Sequence, residues 1–445
     1  MQGWLGDEAP AFFDALARRD VGLRLNSLRG PLEALRARIP WRTQPVPWCA
    51  EGLWLQEEAS PGSHPYHAAG VYYVQDPSAM AANMLLDPQP GEWALDVAAA
   101  PGGKATHLAA RMGGQGLLVA NDVNRPRASA LAANLERMGA TNALVTSQSP
   151  DRLAERWSGL FDAVLVDAPC SGEGMFSRNV QAVLDWGVAT VKGNARRQKA
   201  ILAQAAPLVR PGGRLLYCTC TFAPEENEGV IADFLAQYAN FGLADLPDVP
   251  GLAPGHPEWI GGPADLQRTG RLWPHKGPGH GHFYALLRRR GEPPGDLPAQ
   301  WSGTDVPEWA LTLYRQSLGE VLVQAPPEEG LILTRDSDFC VTPMAPELWA
   351  DLRVVRPGWR VAALRHGAVV PDHALALALR PQEVRAVLDL EADDPRVAQY
   401  LQGGSWHDER PPGFILVTVD GFPLGWAKRG GGRLHSRYPV HLRLK

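Results

Sequence analysis

The stretch LDVAAAPGGK, residues 95–104, decides the fold of this 445-residue chain. Its first half is apolar, as in a buried strand, and the residues after it have the apolar periodicity of a helix. Gly102 and Gly103 let the backbone between the two elements pass close to a ligand, and the start of the helix offers free N–H groups to a carboxylate or phosphate. The spacing matches neither GxGxxG nor GxxxxGK[ST], so it disfavours hydride and phosphoryl transfer.

The same strand–turn–helix alternation extends from about residue 92 to residue 290. FDAVLVDAPC at 161–170 and GRLLYCTCTF at 213–222 are nearly continuous apolar runs, as expected for central strands that are covered on both faces. These patterns predict an α/β fold with a doubly wound, Rossmann-like sheet.

The rest of the chain is predicted to form smaller domains around this sheet. Residues 1–70 combine a helical start with short strands and predict a small α+β domain, so the sheet domain is placed at 71–290. The Pro- and Gly-rich stretch 291–303 predicts a linker. Beyond it we expect an accessory domain at 304–380 and a small β-rich domain at 381–445.

The composition is that of an ordinary globular protein. Hydrophobic residues make up 45% of the chain and charged residues 20%, and the length requires more than one core. No run of about 18 apolar residues predicts a membrane span, and the N-terminus does not have the pattern of a signal peptide. Five cysteines are too few for a secreted disulfide framework. We therefore expect a cytoplasmic protein without membrane attachment, and a monomer.

The net charge of −5 does not by itself indicate a nucleic-acid partner, but the positive charges are clustered. Solvated arginines that balance acidic stretches elsewhere are one explanation, and an RNA or DNA partner is the other. The three basic runs comprise Arg18, Arg19, Arg24, Arg29, Arg36, Arg38 and Arg42; Arg268, Arg271, Lys276, Arg288, Arg289 and Arg290; and Lys428, Arg429, Arg433, Arg437, Arg443 and Lys445.

A carboxylate ends the second strand of the predicted sheet. Asp122 follows Asp96 by about 26 residues, where an acid can accept hydrogen bonds from ribose hydroxyls. Such carboxylates also cap helices. Together with the glycine-rich turn, Asp122 indicates an adenosine-containing small molecule at the carboxyl ends of the strands.

Thiols end two neighbouring strands of this sheet. Cys170 closes the run at 161–170, and Cys218 and Cys220 lie at the end of the run at 213–222, on one face of their strand. A disulfide does not suit a reducing compartment, and a structural zinc site lacks a clear fourth ligand. The third interpretation is nucleophilic catalysis, since a thiolate adds to electron-poor carbons. Cys220, nearer the strand end, is then the more accessible to a ligand.

These motifs resemble those of the RNA 5-methylcytosine methyltransferases, the NOL1/NOP2/Sun family. The resemblance is carried by AAPGGK at 99–104, DAPCSGEG at 167–174, TC at 219–220 and YYVQDPSAM at 72–80. The tail at 421–439 and the segment RHGAVVPDHALALAL resemble the C-terminal regions of the bacterial RsmF/YebU branch, whose last domain is PUA-like. The resemblance implies RNA as substrate, specifically 16S rRNA or the small ribosomal subunit.

The resemblance also implies S-adenosyl-L-methionine as methyl donor and assigns roles to residues. Cys220 is implied as nucleophile and Cys170 as the group that assists product release. Ser149 stands where the family usually has an aspartate that contacts the adenine, and Asp151 is an alternative contact. The implied donor-binding residues are Ala98, Ala99, Ala100, Pro101, Gly102, Gly103, Lys104, Asp122, Arg127, Ser149 and Asp167.

The chemistry of cytosine explains why these groups are needed. Adding a thiolate to carbon 6 makes carbon 5 nucleophilic, and the hydrogen on carbon 5 must later be removed so that the thiolate can leave. Asp167 suits a hydrogen bond to ring nitrogen 3 or the exocyclic amine. Lys104 either orients the base or is an exposed helix lysine. The target base must be unstacked or single-stranded, since a paired base cannot reach a thiol.

Two alternative functions stay open from the sequence. One is the same chemistry on tRNA, and the other is a catalytically idle rRNA-binding assembly factor, which has no need of two thiols in one cleft. Methylation of an amino group is disfavoured because such enzymes usually have an NPPY-like turn where this chain has DAPC. We expect no metal, because the histidines within HKGPGHGHFY match no common ligand spacing.

Overall fold

The computed structural model describes residues 1–292, 301–324 and 328–443. Most of the predicted linker at 291–303, and Lys445 of the C-terminal basic run, lie outside these residues. Within them the strands form four sheets: one of ten strands, two of four and one of five. The ten-stranded sheet carries the stretch 95–104.

The first part of the chain forms a four-stranded antiparallel sheet in the order β2-β3-β1-β4. The boundary predicted at residue 70 falls before its last strand, because β4 hydrogen-bonds to β1 as an edge strand. The elements are α1 Gln2–Leu5, α2 Ala9–Leu16, β1 Gly22–Leu25, α3 Leu32–Arg36, β2 Thr43–Val46, β3 Cys49–Leu55, α4 Pro65–Ala68 and β4 Tyr72–Gln75.

The central sheet has parallel strands in the order β7-β6-β5-β8-β9. Beside β9, the sheet continues with the antiparallel strands β13, β12 and β11. This order is that of a doubly wound sheet and confirms the predicted fold class. The elements are α5 Ala81–Leu86, β5 Trp93–Asp96, α6 Gly103–Arg111, β6 Leu117–Asn121, α7 Arg125–Arg137, β7 Ala143–Thr146, α8 Pro150–Trp157, β8 Phe161–Asp167, α9 Val180–Asp185, α10 Val188–Ala205, β9 Val209–Thr219, α11 Glu228–Gln237, β10 Phe241–Leu243, β11 Leu252–Pro254, β12 Gly270–Leu272 and β13 His282–Arg289.

Both faces of this sheet are buried, as the continuous apolar runs predicted. In β8, Leu165 packs into the core on one face, and Val164 and Val166 pack into the core on the other. All three side chains are fully buried. Because the faces are covered by helices, a ligand can reach this sheet only at the ends of its strands.

The C-terminal part forms two further sheets, of four and five strands. The five-stranded sheet, in the order β19-β21-β22-β23-β20, confirms the predicted β-rich last domain. The elements are α12 Glu308–Gly319, β14 Leu331–Leu333, β15 Asp338–Val341, β16 Val354–Arg356, β17 Trp359–Arg365, β18 Ala368–Pro371, α13 His373–Ala378, β19 Val387–Leu390, α14 Pro395–Leu401, β20 Ser405–His407, β21 Gly413–Val419, β22 Phe422–Gly430 and β23 Arg433–Ser436.

One strand of the predicted accessory domain belongs to the central sheet. β16 pairs antiparallel with β7 and becomes an edge strand beside the parallel set. The backbone N–H of Ser147 donates to the carbonyl of Arg353 at 2.8 Å, and Trp157 Nε1 donates to the carbonyl of Leu348 at 2.9 Å. Segments at least 191 residues apart in the sequence thus stabilise the same edge.

Three arginines of the predicted basic runs serve the fold, and of these Arg24 and Arg271 are buried and Arg29 is half-buried. Arg271 is 1% exposed, and its Nη2 lies 2.5 Å from Glu228 Oε2. Arg29 donates to the carbonyl oxygens of Ala69 and Arg137 at 3.0 Å each. Arg24 is fully buried. Arg24 and Arg271 are therefore enclosed by protein groups and do not contribute to a surface that faces RNA.

Candidate active site

The carboxyl ends of β5, β6, β8 and β9 surround a cleft of about 830 Å³. Parallel strands of a doubly wound sheet place their ligands at this edge. The cleft brings together residues from four separate segments of the sequence. The predicted site residues that line it are Ala98, Ala100, Asp122, Arg127, Asp167, Cys170 and Cys220.

Two thiols lie side by side at this cleft. The Sγ atoms of Cys170 and Cys220 are 3.4 Å apart, and both residues are unoxidised and partly exposed. The parallel register of β8 and β9 pairs Asp167 with Cys218, so the residues that follow both strands run alongside each other. The contact between the two loops is reinforced by a 2.7 Å hydrogen bond between Ser171 Oγ and Thr221 Oγ1.

A buried carboxyl holds the loop of Cys170 in place. Glu226 is fully buried, and its Oε2 accepts hydrogen bonds from the backbone N–H of Ser171 at 3.0 Å and from Gln198 Nε2 at 2.7 Å. Gln198 also donates to the carbonyl of Pro169 at 3.0 Å. Neither Glu226 nor Gln198 was predicted from the sequence, because nothing local distinguishes them from solvated polar residues.

Lys104 and Asp167 form an ion pair next to the thiols. Lys104 Nζ lies 2.7 Å from Asp167 Oδ2, and the lysine side chain is 10% exposed. Burial alone lowers the pKa of Lys104, but the charge of Asp167 and the hydrogen bond to it outweigh burial, so the net effect raises the pKa. Lys104 is therefore a charged group of the site and not an exposed helix lysine.

Asp96 is an acidic residue of this region that the sequence analysis did not assign. It ends β5, is fully buried, and accepts one hydrogen bond, from the backbone N–H of Ala98 at 3.3 Å. Its Oδ2 has no partner among the described protein groups. Burial and the neighbouring charge of Asp167 raise the pKa of Asp96 to about 8. A charged residue that ends an otherwise apolar strand is the signal by which it could have been found.

The opposite side of the cleft is organised around Asp122. This residue is 2% exposed, and its Oδ2 lies 3.4 Å from Arg127 Nη2. Arg127 also donates to the carbonyl of Ala100 at 2.7 Å, so it links the glycine-rich loop to α7. Beneath them, the buried Asn121 donates to the carbonyl oxygens of Val97 and Gln148 at 3.0 Å each. These bonds fix the ends of three strands relative to one another.

The remaining predicted donor-site residues do not appear among the cleft-lining residues of the described chain. They are Ala99, Pro101, Gly102, Gly103, Lys104 and Ser149. Pro150 lines the cleft in the place expected for Ser149. Gly102 precedes α6 with a φ of 117°, a backbone conformation that favours glycine.

The glycine-rich loop is supported from below by the first domain. Arg24 of β1 donates to Gln75 Oε1 at 2.5 Å, to Thr106 Oγ1 at 2.7 Å and to the carbonyl of Gly103. Burial lowers the pKa of Arg24 to about 10, so the guanidinium stays charged at neutral pH. The start of α6, which carries Lys104, thus depends on a side chain from a different sheet.

Cys49, Glu51 and His107 form the one group of potential metal ligands within 4.8 Å of each other among the described residues. Arg111 Nη1 lies 3.6 Å from Glu51, so a cation there would meet an existing positive charge. We assign no metal to this group. None of the described helices is long and apolar enough to cross a membrane.

Comparison with known proteins identifies the family. The ribosomal RNA small subunit methyltransferase F of Klebsiella pneumoniae is 33% identical over 94% of this chain and 89% of its own length, and that of Shewanella amazonensis is 30% identical over 95% and 91%. The chain belongs to the RsmF family of 16S rRNA methyltransferases. Four family models match along it: the RsmF N-terminal domain at 1–77, the RsmB/F methyltransferase at 83–288, the first C-terminal domain of RsmF at 318–379 and the RsmF PUA domain at 387–444.

Solved structures share part of this fold. A methyltransferase homologue from Pyrococcus horikoshii is 31% identical, with a TM-score of 0.56 over 64% of this chain and 91% of its own. NSun6 from the same organism, solved with SFG, shares the fold with a TM-score of 0.58 over 65% and 97% at 21% identity. The resemblance inferred from the motifs is confirmed. The chain is an S-adenosyl-L-methionine-dependent RNA methyltransferase, as predicted.

Proposed function

We propose that this chain transfers a methyl group from S-adenosyl-L-methionine to carbon 5 of cytosine in 16S rRNA, through a covalent bond between Cys220 and the base. The contact of 3.4 Å between the thiols of Cys170 and Cys220, beside the Lys104–Asp167 ion pair, carries the proposal. The names of the RsmF relatives support the choice of 16S rRNA over tRNA. An idle assembly factor would not need two paired thiols at the cleft.

The cleft fits the methyl donor. Asp122 offers a buried carboxylate where ribose hydroxyls need acceptors, and Asp96 has a buried oxygen without a protein partner. Arg127 holds the loop that contains Ala98 and Ala100. When bound, S-adenosyl-L-methionine supplies an electrophilic methyl group on a sulfonium. The residues of this loop that do not line the cleft would hold its lining residues in place; they are Ala99, Pro101, Gly102 and Gly103. Pro150, next to Ser149, would border the adenosine.

Cys220 is proposed as the nucleophile because it follows the end of β9 and lines the cleft beside the Lys104–Asp167 ion pair. The hydrogen bond with Cys220, followed by burial, raises the pKa of Cys170 well above its usual value. Cys170 therefore keeps its proton, and the attacking thiolate is assigned to Cys220. That thiolate adds to carbon 6 of the base and makes carbon 5 nucleophilic.

Cys170 is proposed to act after methylation, as the base that removes the hydrogen from carbon 5. The bond between Cys220 and the base consumes the negative charge on that sulfur. The largest cause of the raised pKa of Cys170 is then removed, so its proton is more easily lost. The Cys170 thiolate can take the carbon 5 hydrogen, and the Cys220 thiolate leaves as the double bond re-forms.

Asp167 and Lys104 are proposed to hold and polarise the base. The side chain of Asp167 is 36% exposed and lines the cleft, so it can accept a hydrogen bond from the exocyclic amine, or from ring nitrogen 3 once that nitrogen is protonated. Addition of the thiolate makes nitrogen 3 more basic, so its protonation is favoured and Asp167 stabilises the protonated adduct. Lys104 fixes the carboxylate through its 2.7 Å contact.

The decisive test compares Cys220→Ala with Cys170→Ala on purified small subunits, free 16S rRNA and tRNA, using radiolabelled donor. Cys220→Ala should bind the donor normally and transfer no methyl group. Cys170→Ala should accumulate an RNA–protein adduct that resists denaturant, because the base cannot be released. The variant Cys340→Ala, which changes a buried cysteine of a different sheet, is the control.

Three outcomes contradict the proposal. Full methylation by Cys220→Ala would show that Cys220 is not the nucleophile. Methylation of tRNA alone would show that tRNA, and not 16S rRNA, is the substrate. If Cys170→Ala accumulates no adduct, Cys170 does not assist release of the methylated RNA. Bisulfite mapping of 16S rRNA from cells with and without the protein then identifies the cytosine that is modified.

We further propose that the enzyme is a cytoplasmic monomer that binds RNA with its N- and C-terminal domains. The five unpaired cysteines suit a reducing compartment. The match of the last domain to the RsmF PUA model supports a role in RNA binding. Cell fractionation and light scattering of the purified protein test the location and the oligomeric state.

A further inference from the structure

A second groove lies next to the loops of the two cysteines. It has a volume of about 400 Å³ and is mostly apolar. We call it the aromatic groove, and it is lined by Met1, Trp4, Phe12, Phe13, Leu16, Glu173, Phe176, Trp186, Val188, Val191, Phe222, Ala223 and Glu225. None of the side chains assigned above to methyl transfer belongs to it, so the proposed reaction leaves it unexplained.

Trp186 is held in this groove with much of its ring open. Its indole N–H donates to Glu173 Oε1 at 2.9 Å, while the side chain keeps 45% exposure. Glu173 is 8% exposed, and its other oxygen accepts from the backbone N–H of Phe222 at 2.7 Å. Phe222 lies two residues after Cys220. One buried carboxylate therefore ties the indole to the segment after β9 that carries the proposed nucleophile.

The chain around Trp186 exposes more apolar surface than a solvated helix needs. Val180, Leu184 and Val188 are 72%, 72% and 64% exposed, respectively. Other residues of the same segment, including Ala182 and Asp185, line the active-site cleft. Several exposed apolar side chains within one short segment beside the proposed catalytic cleft indicate a partner that covers them.

The neighbouring helix α10 supplies positive charge. Val188 and Val191 line the aromatic groove, whereas Lys192 and Arg196 line an adjacent open groove on the same helix. Both basic residues are exposed. Arg197, one position further, lines the active-site cleft. The open groove also contains Glu225 and Asp233, and Asp233 pairs with Lys199. One helix thus borders the cleft, the aromatic groove and a surface on which Lys192 and Arg196 are exposed.

We propose that the aromatic groove binds an unstacked base of single-stranded RNA, from a nucleotide next to the target cytosine, with its ring stacked on Trp186. This inference rests on the proposed function, because it requires RNA at the active-site cleft. Aromatic faces beside a positively charged path are the combination that binds single strands, with bases on the rings and phosphates on the cations. Continuity with the cleft and the charges of Lys192 and Arg196 favour RNA over a second copy of the chain.

The test uses fluorescently labelled oligouridylates with one central cytosine, and the full-length protein. Loss of a base stack should weaken RNA binding by about tenfold in Trp186→Ala. Trp186→Phe keeps a ring and should stay within about threefold of wild type. Trp309→Ala is the matched control, because Trp309 is a 59% exposed tryptophan on α12 and does not line the groove. Donor binding by Trp186→Ala should equal that of wild type, which shows that the variant is folded.

An abasic residue beside the cytosine locates the stacked base. It should weaken binding to wild type by a similar factor and have no further effect on Trp186→Ala. The inference is overturned if Trp186→Ala binds as tightly as Trp309→Ala, or if the two losses add. A dimer that Trp186→Ala dissociates would also overturn it in favour of a second copy. Methyl transfer to 16S rRNA is measured in a separate assay. Absence of methyl transfer contradicts the proposed function, whereas an unchanged RNA affinity of Trp186→Ala contradicts base binding in the aromatic groove.

Discussion

Replacing Arg24 with methionine tests whether the first domain holds the donor loop in place. The substitution removes a buried cation that donates to Gln75, Thr106 and the carbonyl of Gly103, while it keeps most of the side-chain volume. If the donor loop needs this support, the variant should lose stability and also bind S-adenosyl-L-methionine more weakly.

The expected magnitude follows from which acceptors lose their partners. Thr106 Oγ1 keeps its bond to the carbonyl of Gly102 at 2.6 Å and lies 3.3 Å from the carbonyl of Gly103, so these groups stay partly satisfied. Gln75 Oε1 loses a charged donor, and each such buried bond is worth about 1.5–3 kcal/mol. We expect a loss of about 3 kcal/mol in the free energy of unfolding, which lowers the Tm by a few °C in a chain of this length.

The assay is thermal and urea denaturation together with calorimetric titration of S-adenosyl-L-methionine. Arg42→Met is the control from the same domain, because the side chain of Arg42 is 78% exposed and pairs only with Glu57 at 3.1 Å. An exposed pair contributes about 0–1 kcal/mol, so this control should resemble wild type. If Arg24→Met has the same Tm as Arg42→Met and binds the donor equally well, the coupling between the domains is refuted.

Three further predictions concern the site and its surroundings. Lys104→Met should lower the rate of methyl transfer by about 100-fold in single turnovers, because it removes the cation at Asp167; a change below about threefold would argue against its role. Burial and the charge of Asp167 raise the pKa of Asp96 from 3.8 to about 8, so the stability contributed by this carboxyl is full below about pH 4 and is lost as the pH rises to about 8. Asp96→Asn should remove that slope in urea denaturation across this range, and an unchanged slope would contradict the shift. Arg271→Leu should destabilise the protein by about 3–5 kcal/mol because it leaves Glu228 buried without its partner, and the added substitution Glu228→Leu should restore most of the loss in the same denaturation assay.

The family motifs were recoverable because their chemistry is local. The strand, the glycine-rich turn and the helix at 95–104 are contiguous, and the two cysteines follow strands whose apolar runs mark them as neighbours in a parallel sheet. Asp122 could be placed at the same edge for the same reason. The assignment of Ser149 was less direct, since a loop residue carries no periodic signal, and Pro150 lines the cleft in its place.

The sequence by itself determined the doubly wound sheet, the edge at which it binds ligands and the thiols that meet there, because apolar periodicity and strand-end chemistry act over short distances. Only the tertiary structure decided that β16 completes this sheet from the far side of the linker, that Arg24 supports the donor loop, and that Glu173 anchors Trp186 beside the cysteines. An arginine or a glutamate has the same pattern in the sequence whether it is solvated or enclosed. Its burial depends on acceptors and donors from distant segments, which exist only after those segments have packed together.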